Sequence, residues 1–86
     1  MRLDRFLSVA RIFKSRSLAA EAISSSMVFI DEMPSKPARE VRPGMIIEID
    51  TPRFYKKLEI VLLPFGNVSK KDALTLFKTI EEREKD

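Results

Sequence analysis

Leu3, Phe6, Leu7, Ala10 and Phe13 recur at spacings of three and four, the period of a helix with one buried face, so the first element is a helix opening near residue 3. Asp4 falls in its first turn, where a carboxylate interacts favourably with the helix dipole. Ser15 or Ser17 can accept a hydrogen bond from the free amides that open a second helix. Its apolar set, Leu18, Ala19, Ala22 and Ile23, keeps the helical period to about Ser24. Ser24-Ser25-Ser26 is an unusual stop, because glycine adopts the left-handed conformation that often follows a helix more easily.

The pattern then changes. Met27-Val28-Phe29-Ile30 reads as a short strand, and Asp31-Glu32 as a turn without the glycine that a tight hairpin prefers. Pro34 and Pro37 bracket a loop carrying Ser35 and Lys36, since two prolines so close exclude a helix and disfavour a central strand. Val41-Arg42-Pro43-Gly44 is a turn leading into a second strand, Met45 to Ile49. A third strand spans Tyr55 to Leu63, with Leu58, Ile60 and Leu62 on one face and Glu59 and Val61 on the other. Pro64-Phe65-Gly66-Asn67 breaks the chain, and Ser69 with Asp72 resembles a capping pair. Ala73, Leu74, Phe77 and Ile80 predict a final helix with a single apolar stripe. The expected class is α+β: two short amino-terminal helices on a small, mainly antiparallel sheet, plus a carboxyl-terminal helix.

Eighty-six residues, 44% of them apolar and 34% charged, suffice for one core and not for two independently stable ones. Residues 1–66 are expected to form the main domain, and 67–86 an amphipathic helix packed on it or extending from it. With neither cysteine nor histidine, the chain lacks the usual general base, thiolate nucleophile and zinc ligands, which argues against an enzyme and against any cofactor or metal. The carboxylates Glu81, Glu82, Glu84 and Asp86 read as solvated charges rather than a magnesium site. No apolar run approaches the roughly 20 residues that span a bilayer, so no membrane contact is expected, and the lack of cysteine fits a cytoplasmic setting. The Arg- and Ser-rich start also fits a transit peptide, a reading set aside because the core needs its apolar residues.

The formal charge of +3 is unevenly placed: Arg2, Arg5, Arg11, Lys14 and Arg16 face only Asp4 within the first twenty residues. Two short helices joined by a tight turn would present these cations outward. A guanidinium forks onto phosphate oxygens and stacks on exposed bases, contacts that a lysine makes less well. Backbone amides at the start of the second helix, beside Arg16, would add to an anion site. The competing reading is that these are ordinary solvated charges. Phe54 and Tyr55, set among Arg53, Lys56 and Lys57, read as a half-buried strand start in preference to a base-stacking platform.

Arg2-Leu3-Asp4 with Phe6-Leu7, Ser15-Arg16 ahead of Leu18-Ala19, and Pro43-Gly44 before an apolar strand together resemble the S4 RNA-binding domain family over about residues 1 to 50. The tail, Lys70-Lys71-Asp72-Ala73 with Phe77 and Glu81-Glu82, extends the likeness to stand-alone members of the heat-shock-protein-fifteen and ribosome-quality-control type. The resemblance implies a compact alpha-L motif that lays its helices and an adjoining loop on RNA. Arg2, Arg5, Arg11, Lys14 and Arg16 would supply the helical contact, Lys36 and Arg39 the loop contact, and Asp4 would orient a neighbouring arginine. It also implies structured RNA as partner, ribosomal RNA of the large subunit and tRNA, in stalled-ribosome rescue. The chain is expected to act as a monomer.

Two places depart from the family pattern. Ser26 and Met27 stand where a glycine and a basic residue are usual, and Asp31-Glu32 where Asn-Gly is usual, which removes part of the expected positive surface. Two rival functions remain at this level: a protein-interaction module using the final helix or a strand edge, and a detached accessory domain of an RNA-modifying enzyme.

Overall fold

In the computed structural model, which describes residues 1–86, both amino-terminal helices form where the apolar spacing places them. Helix α1 spans Leu3–Val9 and buries Leu3, Phe6 and Leu7. Its N-cap residue, Arg2, provides no side-chain cap. Instead Leu3 N–H donates to the Arg39 carbonyl at 2.8 Å and Asp4 N–H to that of Pro37 at 3.2 Å, which ties residues 37–39 to the helix start. Helix α2 spans Arg16–Ser24; Ser15 is its cap, its hydroxyl accepting from Leu18 N–H at 3.1 Å.

Both helices end on a left-handed residue that is not glycine. After α1, Arg11 has φ 60°, with Arg11 N–H bonded to the Ser8 carbonyl and Ile12 N–H to that of Leu7. After α2, Ser26 has φ 61°, and the amides of Ser26 and Met27 reach the carbonyls of Ile23 and Ala22. This is the paired-bond C-terminal motif that usually holds glycine, so the serine run is the stop despite its chemistry.

The strands β1 (Val28–Ile30), β2 (Met33–Pro34), β3 (Ile46–Asp50), β4 (Phe54–Ile60) and β5 (Phe77–Glu84) form one antiparallel sheet in the order β2-β1-β3-β4-β5. Asp31 (φ 51°) and Glu32 (φ 67°) make the β1–β2 turn, both left-handed as a tight two-residue hairpin requires. Pro34 sits on the edge strand, where its missing N–H costs the sheet nothing. Pro43 and Gly44 (φ 95°) form the turn before β3, closed by Met45 N–H on the Arg42 carbonyl. The inner face of the sheet, Val28, Ile30, Ile47, Ile49, Leu58 and Ile60, packs against α1 and α2 with Val41 and Leu76 completing the core. The outer face carries half-buried Phe29, Glu48, Tyr55 and Lys57, so Tyr55 occupies a strand as its type favours.

The end of the chain differs from expectation. A helix does start where Ser69 caps it, the hydroxyl accepting from Asp72 N–H, but α3 covers only Lys70–Ala73. The carboxyl-terminal helix expected through Ile80 is replaced by β5, which pairs along all of β4. Two terms outweigh the helical stripe: β4 presents a row of backbone groups that β5 satisfies, and Leu76, 2% exposed, is drawn into the core. Cross-strand contacts add to them, with Lys56 paired to Glu82 at 2.9 Å and Arg83 stacked 4.5 Å from the Tyr55 ring centroid.

Candidate nucleic-acid interface

Asp4 is the organising group. Its carboxylate is 4% exposed and accepts a two-pronged contact from Arg2, at 3.2 Å through Nε and 3.1 Å through the terminal nitrogen. Arg16 Nε lies 3.3 Å away, and the Arg5 amide donates at 2.7 Å. Burial works against ionisation here, but the Arg2, Arg16 and Arg5 contacts together with the Arg16 charge outweigh it and hold the carboxyl below its ordinary 3.8. Two guanidiniums thus share one carboxylate, leaving a net positive charge, and each remains about half exposed at 47% and 50%. The arrangement fixes the heads of Arg2, which precedes α1, and Arg16, which opens α2, side by side while leaving their outer edges open to solvent.

The expected loop cations join this end of the molecule. Lys36 lines a cleft of about 490 Å³ with Arg2, Ser24, Ser26 and Ser35, and Arg39 is anchored through its backbone to the start of α1. The Ser35 hydroxyl in the same loop is buried without a hydrogen-bond partner. Arg5 is exposed on α1, one turn from Arg2.

Arg11 and Lys14 go elsewhere. The Arg11 side chain donates to the Val68 carbonyl at 3.3 Å and lines a cleft with Lys56, Lys70 and Phe77, linking the α1–α2 turn to the chain ahead of α3. Lys14 borders an apolar groove together with Arg53. The structure therefore gathers Arg2, Asp4 and Arg16 in direct contact, with Arg5, Lys36 and Arg39 around the same helix end, and separates Arg11 and Lys14 from them. The sequence sets Arg53 beside Phe54 and Tyr55 but gives no link to Lys14; the two border one groove because the β3–β4 turn and α2 both line it, which no local pattern encodes. Of the acids expected to be solvated helix charges, Glu81, Glu82 and Glu84 stand on β5 instead, Glu82 pairing with Lys56 and Glu81 with Arg83 at 3.0 Å.

Comparison with known proteins bears on the family and the fold. The family model described as the S4 domain matches residues 1–47, from α1 into β3. The chain is similar to a protein of Bacillus subtilis (strain 168) named RQC P-site tRNA stabilizing factor, with 35% identity over 86 residues that cover 99% of this chain and 96% of that protein. It is 39% identical to a heat shock protein 15 homolog of Aeromonas salmonicida over 49 residues, 57% of this chain and 37% of that one. The solved trimeric structure of Vibrio cholerae heat shock protein 15 superposes with a TM-score of 0.85 at 26% identity, covering 92% of this chain and 80% of its own. With the motif, the helix pair and the sheet all in agreement, the chain belongs to the S4 domain family.

Proposed function

We propose that this protein is a non-catalytic RNA-binding protein that docks on structured ribosomal RNA of the large subunit, with tRNA as a further contact, in ribosome quality control or stalled-ribosome rescue. The observation that carries the reading is the pair of half-exposed guanidiniums, Arg2 and Arg16, held on buried Asp4 beside the Lys36–Arg39 loop. Planar donors fixed side by side suit a sugar-phosphate strand. The relatives support the setting: one is named for stabilizing tRNA in the P site, and such a role would place the protein in the cytoplasm. The absence of histidine and cysteine supports a role without catalysis.

Binding to isolated large subunits, measured across salt concentrations, tests it. Log affinity should fall with log salt at a slope of about −0.7 to −0.9 per phosphate contacted. Arg16→Ala should weaken binding and flatten the slope by roughly one such contact. Salt-independent affinity would count against the reading. A protein-interaction module is favoured by one feature, the unpaired outer edge of β5; a partner retained on the chain after exhaustive nuclease treatment would favour it over RNA.

A further inference from the structure

Between the α1–α2 turn, α2 and the β3–β4 turn lies a groove of about 680 Å³, a size typical of small-ligand sites. Its apolar lining is formed by Phe13, Leu18, Met27 and Phe54, among others. Phe13 and Phe54 meet at 6.3 Å between centroids, tilted by 50°, and Leu18 is 46% exposed although it belongs to the apolar set of α2. Two cations border the groove, Lys14 and Arg53, and neither forms an ion pair within the chain, in contrast to Arg2 and Arg16.

We propose that this groove takes one unpaired nucleotide of bound RNA, its base among Phe13, Leu18, Met27 and Phe54 and its phosphate on Lys14 and Arg53. The inference rests on the RNA-binding reading above and adds a subsite to it. An apolar groove of about 680 Å³ with free cations at its border matches the amphipathic division of a nucleotide into base and phosphate. Position supports the same occupant. Lys14 is two residues from Arg16, at most about 7 Å between backbone positions, so a strand gripped at Arg16 has the border of the groove within reach although the two side chains belong to different clusters. Glu21, the one acid in the lining, also has no ion-pair partner and is an acceptor suited to the amino group of adenine, cytosine or guanine. Lys14 thereby acquires a role that its separation from Asp4 leaves open.

The test is an NMR titration of the ¹⁵N-labelled full chain with adenosine monophosphate, with ribose 5-phosphate and inorganic phosphate as parallel probes. Adenosine monophosphate should move the amides of Phe13, Leu18, Met27 and Phe54, whereas the two base-free probes should move only those of Lys14 and Arg53. Equal shifts from all three probes, or none in the groove, would overturn the proposal. Leu18→Asp, a change at an exposed position that places a charge in the slot, should abolish the adenosine monophosphate shifts and lower affinity for large-subunit RNA about tenfold. Arg16→Ala should leave those shifts intact while weakening RNA binding. Unchanged RNA affinity in Leu18→Asp, with Arg16→Ala still impaired, sinks the groove and spares the RNA-binding reading. If the wild type shows no RNA affinity at all, that reading fails, and groove-confined shifts would then support a free mononucleotide site. Protection of the groove amides by a nuclease-resistant protein partner, without response to adenosine monophosphate, also overturns the proposal.

Discussion

Asp4 is ionised in surroundings that oppose its charge, and the reason is local: two guanidiniums and a backbone amide converge on its two oxygens. Because its folded titration point lies below the ordinary 3.8, its contribution to stability is present above that value and is lost as pH falls through the lower folded one. Urea midpoints measured from pH 6 down to pH 2 should therefore fall more steeply for the wild type than for Asp4→Asn. At neutral pH Asp4→Asn should cost about 1–3 kcal/mol and weaken RNA binding, since Arg2 and Arg16 lose their common anchor. Tyr55 shows the opposite sign. Its hydroxyl donates to Glu48 at 2.6 Å, and that bond, with burial and the nearby Glu48 and Glu81 charges, pushes its titration from 10.0 up to about 12. Its stabilising contribution is complete below pH 10 and is lost as pH rises through about 12. As the chain has one tyrosine, ultraviolet absorbance reads this directly: the native protein should ionise near 12, and a midpoint near 10 in the folded state would refute the Glu48 contact.

At the scale of elements, helices α1 and α2 were legible from apolar spacing and the Ser15 cap, and β1, β3 and β4 from short apolar runs between turns. Helix α3 was legible only at its start, because Ser69 caps a real turn whose continuation depends on what the following residues touch. Met33–Pro34 carries no strand pattern of its own and pairs only because the Asp31-Glu32 turn returns the chain alongside β1. That turn holds two side chains in a conformation that glycine and asparagine adopt more readily. Asp31→Asn with Glu32→Gly should raise unfolding stability by about 1 kcal/mol. A thermal or urea melt checks this, and a loss of stability would show that the two acids make contacts outweighing the backbone strain.

For the whole molecule, charge is distributed in a way that single residues do not show: Arg2 and Arg16 gather on one carboxylate, while three cations nearer the carboxyl end, Lys56, Arg83 and Lys85, are each paired with an acid. The chain is expected to act as a monomer, whereas its Vibrio cholerae neighbour was solved as a trimer. Sedimentation equilibrium should give a mass near 9.9 kDa at micromolar concentration, and a threefold mass would overturn the expectation. The sequence by itself determined the helix pair, its arginine content and the family, because these rest on interactions within a few residues: apolar period, capping and turn chemistry. Only the tertiary structure decided that Arg2 meets Arg16 across Asp4, that Lys14 and Arg53 border one groove, and that residues 77–84 extend the sheet. Each of these joins segments distant along the chain, and a helix-prone tail becomes a strand when an unpaired sheet edge and a core site for Leu76 lie within its reach.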